Sequence, residues 1–197
     1  MVRGERMKPA PAQKLNYEDF LRFPDDGLRH ELIDGEHYVT PSPATVHQRL
    51  LGLHVAVYVY LQTHSIAEVF LAPFDIVLSP HDVVEPDLVV VLREQANIVG
   101  EQNATGAPAL VVAVLSAGTR RRDKGIKLRL YDRVGVREYW LVDPAVSTVV
   151  AHRRQPPGGL AAEPSLDLED LLASPLLPGF HLPLRDLFAP PPFAESR

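Results

Sequence analysis

The chain has 197 residues, 46% hydrophobic and 23% charged, so it is long enough to bury one sizeable domain and too apolar for wholesale disorder. It has no cysteine, which excludes disulfides, thiol nucleophiles, iron–sulfur clusters and cysteine-type zinc sites and leaves chemistry to carboxylates, histidines, hydroxyls and lysines. The formal net charge of −5, taken as a total, argues against a nucleic-acid binder.

Residues 1–16 carry Arg3, Arg6, Lys8 and Lys14 with no apolar stretch behind them. They read as a flexible leader rather than a signal peptide, and no apolar run approaches bilayer length, so a cytoplasmic protein without membrane contact is expected. Tyr17 to Phe23 reads as a short helix stopped by Pro24 and Asp25-Asp26-Gly27. His30 to Thr40 reads as a hairpin turning at Asp34-Gly35, a pair that favours the two positive φ values of a tight β-turn. A long helix is expected over Ala44 to His64. Strands are expected over Val69 to Ala72, Asp75 to Ser79, Asp87 to Val91 and Ala109 to Leu115. A second helix follows over Thr119 to Val134, then strands over Glu138 to Val142 and Thr148 to His152.

This alternation predicts an α/β (α+β) domain over residues 17–154, with a mixed central β-sheet flanked by helices. Nine of the nineteen prolines follow Arg154, which marks residues 155–197 as a Pro-rich C-terminal extension packed on the domain. Its blocks Leu166 to Leu172 and Leu184 to Phe188 are expected as short helices.

On a helical wheel of the segment from Thr119, residues Ile126, Leu130, Tyr131 and Val134 define the core-facing arc. Asp123, Lys127 and Arg120 fall inside that arc, whereas Arg121, Arg122, Arg129 and Arg133 fall outside it. An ammonium on an apolar face is costly without a partner. Lys127 therefore either pairs with Asp123 at i,i+4 or reaches a carboxylate or phosphate on the sheet. The segment 119–137 holds eight Lys/Arg against two Asp, a local excess of six positives on an acidic chain. Such a run is either a solvated face or a phosphate-backbone contact built from Arg120, Arg121, Arg122 and Lys124.

Asp87 stands at the mouth of an apolar strand, next to a strand that runs into the basic helix. Acids at a strand mouth beside an inward lysine suit metal-dependent phosphodiester cleavage, in which carboxylates hold Mg²⁺ and the lysine orients water or stabilises developing charge. Other chemistry has weaker support. His47 and His54 share a helical face but lie too far apart for one zinc without a third ligand. No Gly-x-Ser-x-Gly surrounds Ser116, and no glycine-rich nucleotide loop is present.

The ordered blocks Glu31-Leu32-Ile33-Asp34-Gly35-Glu36, Ala72-Pro73-Phe74-Asp75, Glu85-Pro86-Asp87-Leu88, Leu110-Val111-Val112, Lys127 and Gly135-Val136-Arg137-Glu138-Tyr139-Trp140 carry a resemblance. Over roughly residues 17–154 the chain resembles the Uma family of restriction-endonuclease-like proteins, within the PD-(D/E)XK nuclease superfamily. The resemblance implies a nuclease fold, a Mg²⁺ cofactor, DNA as substrate and a homodimer. It implies Asp87 as the first metal-binding acid, Lys127 as the catalytic lysine, Glu31 as an accessory acid and His47 near the cleft. The chain departs from the family at Ala113, where the pattern Val-Val-Glu-Val has its second metal ligand. The expectation is therefore a Mg²⁺-dependent DNA phosphodiester hydrolase with a degenerate site, set against a catalytically inactive DNA-binding or protein-interaction module on the same fold. Glu31 and Asp123 are the acids placed to replace the missing ligand.

Overall fold

The computed structural model describes residues 14–40 and 50–189, so residues 1–13 of the leader, His47 and the chain beyond Ala189 lie outside the described residues. Helix α1 (Tyr17–Phe20) starts at Asn16, whose side-chain oxygen accepts from the Glu18 and Asp19 amides while Asp19 reaches back to the Asn16 amide. Strands β1 (Arg29–Ile33) and β2 (Glu36–Thr40) form the hairpin. Asp34 and Gly35 have φ of 51° and 76°, the left-handed values that a two-residue turn of this kind needs.

After helix α2 (Leu50–Thr63) come β3 (Ala67–Leu71), β4 (Asp75–Ser79), β5 (Asp82–Val84), β6 (Leu88–Leu92), β7 (Asn103–Thr105) and β8 (Leu110–Val114). The basic helix spans 120–134 and is not uniformly α. A π-helical stretch, Asp123–Lys127, lies between Arg120–Arg122 and Leu128–Val134. It ends at Gly135, which takes the left-handed conformation (φ 91°) that a C-terminal glycine supplies. Strands β9 (Glu138–Asp143), β10 (Thr148–Arg154), β11 (Leu160–Ala162), β12 (Leu171–Ser174) and β13 (Leu177–Pro183) follow, then the last helix, Leu184–Phe188.

The expected central sheet is in fact two mixed sheets, one ordered β2-β1-β5-β4-β7 and one ordered β11-β10-β9-β8-β6-β3. The first closes through β5 and β7. Each has only three residues, too short to show a strand period in the sequence. One face of the six-stranded sheet, with Val90, Val112, Trp140 and Val142, packs on Leu53, Val57 and Leu61 of α2 and on Leu172, Leu182 and Leu187 of the C-terminal segment. The other face, with Val89, Val111, Ala113, Tyr139 and Leu141, packs on Leu130 and Tyr131 of the basic helix and on Ile33 and Ile76 of the first sheet. The β8 residues thus bury alternate side chains on opposite faces, which is why this run is continuously apolar.

One local expectation fails outright. Leu166 to Leu172 is not helical: Leu166 bridges to Val149, and Leu171–Ser174 pairs with β13 in an antiparallel hairpin. Leu172 and Ser174 are buried while Leu171 is exposed, a two-residue period imposed by packing on the sheet. Local sequence offered the leucine spacing, and tertiary pairing chose the strand.

Candidate active site

Three elements converge where the two sheets meet the basic helix. Strand β1 presents Arg29, Glu31 and Ile33 on one face, because alternate strand residues share a side. The antiparallel register Leu88↔Val112 between β6 and β8, carried one residue further, sets Asp87 beside Ala113. The basic helix contributes Asp123 and Lys127 from its π-helical stretch.

Lys127 is 4% exposed and Glu31 fully buried, and Lys127 Nζ lies 2.7 Å from Glu31 Oε1 and 3.4 Å from Asp123 Oδ1. Both readings of the inward lysine therefore hold together: it makes the i,i+4 contact and reaches an acid on the sheet. Its acid on the sheet is Glu31 rather than Asp87. Burial works against the Lys127 charge, but Glu31 and Asp123 outweigh it and raise its pKa above the ordinary lysine value. Burial likewise raises the Asp123 carboxyl, against the pull of Lys127.

Asp87 is held differently. Its Oδ1 accepts from Arg29 Nη1 at 2.9 Å and its Oδ2 from the Val114 amide at 2.7 Å. Arg29 also pairs through Nε with Glu85 Oε1 at 2.7 Å. Burial lifts the Glu85 carboxyl despite Arg29, and it lifts Asp75, which faces the Glu31 charge. The Glu85 amide donates to Glu31 Oε1 at 3.1 Å, whereas Glu31 Oε2 is buried with no hydrogen-bond partner. Beneath the cluster, Tyr131 and Tyr139 stack edge to face at 4.8 Å, and burial pushes both phenols well above their ordinary pKa. They form its buried floor.

Glu31, Asp87 and Lys127 are thus brought to one buried cluster, with Ala113 on the strand beside Asp87. Arg29 and Glu85 were missed by sequence reasoning. The available signal was parity: Arg29 stands two residues before Glu31 on one strand, so it shares that residue's face.

The basic helix divides. Arg120 forms a two-pronged ion pair with Asp143, with Nη2 2.8 Å from Oδ1, and Arg122 donates to the Thr40 hydroxyl while its guanidinium lies 5.3 Å above the Tyr38 ring. Arg133 is tied to Asp82. Arg121, Lys124 and Arg129 are exposed and make no ion pair among the described residues. His54 stacks on Tyr58 at 6.1 Å, and the Ser116 hydroxyl accepts from the Thr119 amide at the start of the helix.

The donor set does not fit Mg²⁺. That ion takes near-octahedral oxygen ligands. The Ala113 side chain offers no oxygen, and each oxygen of Asp87 already accepts a hydrogen bond, one from Arg29 and one from the Val114 amide. Among the described residues no group of three or more His, Asp or Glu is arranged to hold a metal.

The family model described as "Putative restriction endonuclease" matches residues 17–185. The chain belongs to this family. The match extends beyond the blocks read from the sequence, through the β12–β13 hairpin and into the last helix. Among solved structures, a protein described as a "putative nuclease belonging to DUF820 from Anabaena variabilis" is 22% identical, with a TM-score of 0.73. The match covers 88% of this chain and 97% of that one, so the two share the nuclease fold. A comparison with curated proteins finds no match. No helix among the described residues is long and apolar enough to cross a membrane.

Proposed function

We propose that this nuclease-like protein binds DNA on a restriction-endonuclease-like fold whose Mg²⁺-dependent phosphodiester hydrolysis is degenerate. One observation carries the reading: Asp87, the acid that the family resemblance makes a metal ligand, has an alanine beside it and a guanidinium and an amide on its two oxygens. Lys127 is engaged in the same way, by two carboxylates. What remains available for nucleic acid is the outer edge of the basic helix, where Arg121, Lys124 and Arg129 face solvent. The protein acts as a cytoplasmic homodimer, which gives two such edges per particle.

The test pairs cleavage with binding. Single- and double-stranded DNA are incubated with Mg²⁺ or Mn²⁺, and affinity is measured across a salt series. Salt-dependent binding without cleavage is the expected result. Efficient cleavage abolished by Asp87→Ala and by Lys127→Ala would sink the degenerate-site reading, and salt-insensitive affinity would sink the phosphate contact.

A second reading, residual hydrolysis with Glu31 in place of the missing ligand, has one observation in its favour: the unpartnered, fully buried Glu31 Oε2. Weak metal-dependent cleavage lost in Glu31→Gln would select it.

A further inference from the structure

A cavity of about 370 Å³ opens beside the Asp87 cluster, between the chain entering β1, the turn after β3 and the chain entering β6. Its apolar lining comes from Leu28, Ala72 and Pro73, and its polar lining from Arg29, Glu85 and Asp25. Leu28 is 44% exposed and Pro73 is also open to water, so the cavity leaves apolar surface unpartnered. The volume is at the lower end for small-ligand pockets and holds one planar ring system.

The charges narrow the ligand. Asp25 and Glu85 line the cavity with Arg29, and the Arg29 charge is already shared between Glu85 and Asp87, so no free positive charge is left to hold an anion inside it. The fit is a flat, uncharged group whose polar edge has more donors than acceptors. Arg29 has five N–H donors, of which the ion pairs with Glu85 and Asp87 use two, so it can still donate to a ligand acceptor. Glu85 and Asp25 accept. Among the DNA bases, guanine has two adjacent donors, N1–H and N2–H₂, beside one acceptor, O6. That edge complements a donor set next to two carboxylates. Leu28 and Pro73 supply the apolar faces against which an unstacked base is held.

We propose that this cavity receives a single unstacked guanine base of a nucleic-acid strand. The inference rests on the DNA-binding reading above and adds a base-recognition site to it. Arg29 joins the two: it lines the cavity and holds Asp87, so the base site adjoins the Asp87 cluster.

The test separates the cavity from the DNA reading. Guanosine and inosine monophosphates differ only by the 2-amino group, and their binding to the full chain is followed by NMR shifts at residues 25–29, 72, 73 and 85. Guanosine monophosphate is expected to bind at least tenfold more tightly than inosine monophosphate. Glu85→Gln should erase that preference. Ala72→Phe, which fills the cavity without a charge change, should abolish binding of both while the melting temperature reports that the fold is intact. A thymine-rich single strand carrying one guanine should likewise bind more tightly than the same strand with hypoxanthine at that position. Equal affinity for the two monophosphates, or for the two strands, overturns the proposal. Failure of every strand to bind overturns the DNA reading instead, and guanosine selectivity in the first arm still decides the cavity.

Discussion

Arg29 Nη1 lies 2.9 Å from Asp87 Oδ1, and this contact puts a fixed protein cation against the acid that a nuclease of this fold would give to a metal. Both side chains are nearly buried, 12% and 7% exposed. Burial opposes the Arg29 charge, yet Asp87 and Glu85 outweigh it and raise its pKa further. Removing Arg29 leaves a buried carboxylate without its counter-charge, a change that typically costs about 3–5 kcal/mol. Arg29→Ala should therefore lower the urea midpoint strongly, and Arg29→Ala combined with Asp87→Asn should recover part of the loss. Additive losses in that double-mutant cycle would show that the pair is not coupled.

Ala113→Glu tests the account of what is missing. The new carboxylate lands beside Asp87 on the buried face of β8. Without metal the variant should be less stable than the parent, because an unpaired buried charge is unfavourable. Added Mn²⁺ should raise its melting temperature while leaving the parent unchanged, since an ion that binds only the folded state stabilises it. No metal response, by melting or calorimetry, would mean that something other than Ala113 prevents ion binding.

Lys127 compensates Glu31 and Asp123 together. Lys127→Met keeps the volume and removes the charge, so the fully buried Glu31 is stranded, at a cost of about 3–5 kcal/mol by the same reasoning. Adding Glu31→Gln should restore much of the midpoint. A Lys127→Met variant as stable as the parent would refute the pairing.

Another buried acid reports through pH. Glu138 is 1% exposed and accepts from Trp140 Nε1 and the Ser174 hydroxyl, both at 2.8 Å, which pins the C-terminal hairpin to the six-stranded sheet. Burial raises its pKa above the ordinary glutamate value, against those hydrogen bonds and Arg153. The folded state thus binds the proton more tightly than the unfolded state does. The stability this adds is complete below the unfolded pKa of about 4.3 and is lost as pH rises through the folded value. The melting-temperature difference between the parent and Glu138→Gln should shift against the parent as pH rises from the acid side toward neutrality. A difference independent of pH would contradict the raised pKa.

The basic helix should separate into two functional classes. Arg121→Ala, Lys124→Ala and Arg129→Ala together should weaken DNA binding and flatten the plot of log affinity against log salt. The slope should fall by about 0.9 for each phosphate that is no longer neutralised. Arg120→Ala, which frees Asp143, should instead lower thermal stability. If Arg120→Ala alone accounted for the salt slope, its ion pair with Asp143 would have to open on binding.

The fold class, the hairpin at Asp34-Gly35, the π-interrupted helix as a helix, and the inward Asp123 and Lys127 were all legible in the sequence. Each follows from local period or turn chemistry: two positive φ values for the turn, and one apolar arc for the helix. The cluster of Glu31 and Asp87 with Lys127 was anticipated through family resemblance, and the alanine at 113 is visible in the residue itself. The partners of these groups were not legible. Arg29 meets Asp87 across 58 positions of sequence, and Glu31 meets Lys127 across 96, contacts set by how β1 lies over the β6–β8 strand ends. The C-terminal hairpin shows the same limit, since its leucine spacing also suits a helix and only Pro183, Leu182 and His181 opposite make it a strand. Sequence by itself therefore marked Asp123 and Lys127 as charges on a buried face and left Arg29, Glu85 and Glu138 unmarked. Tertiary structure decided which of them neutralise one another, because in a low-dielectric interior the energy of a charge depends on the few ångströms to its partner.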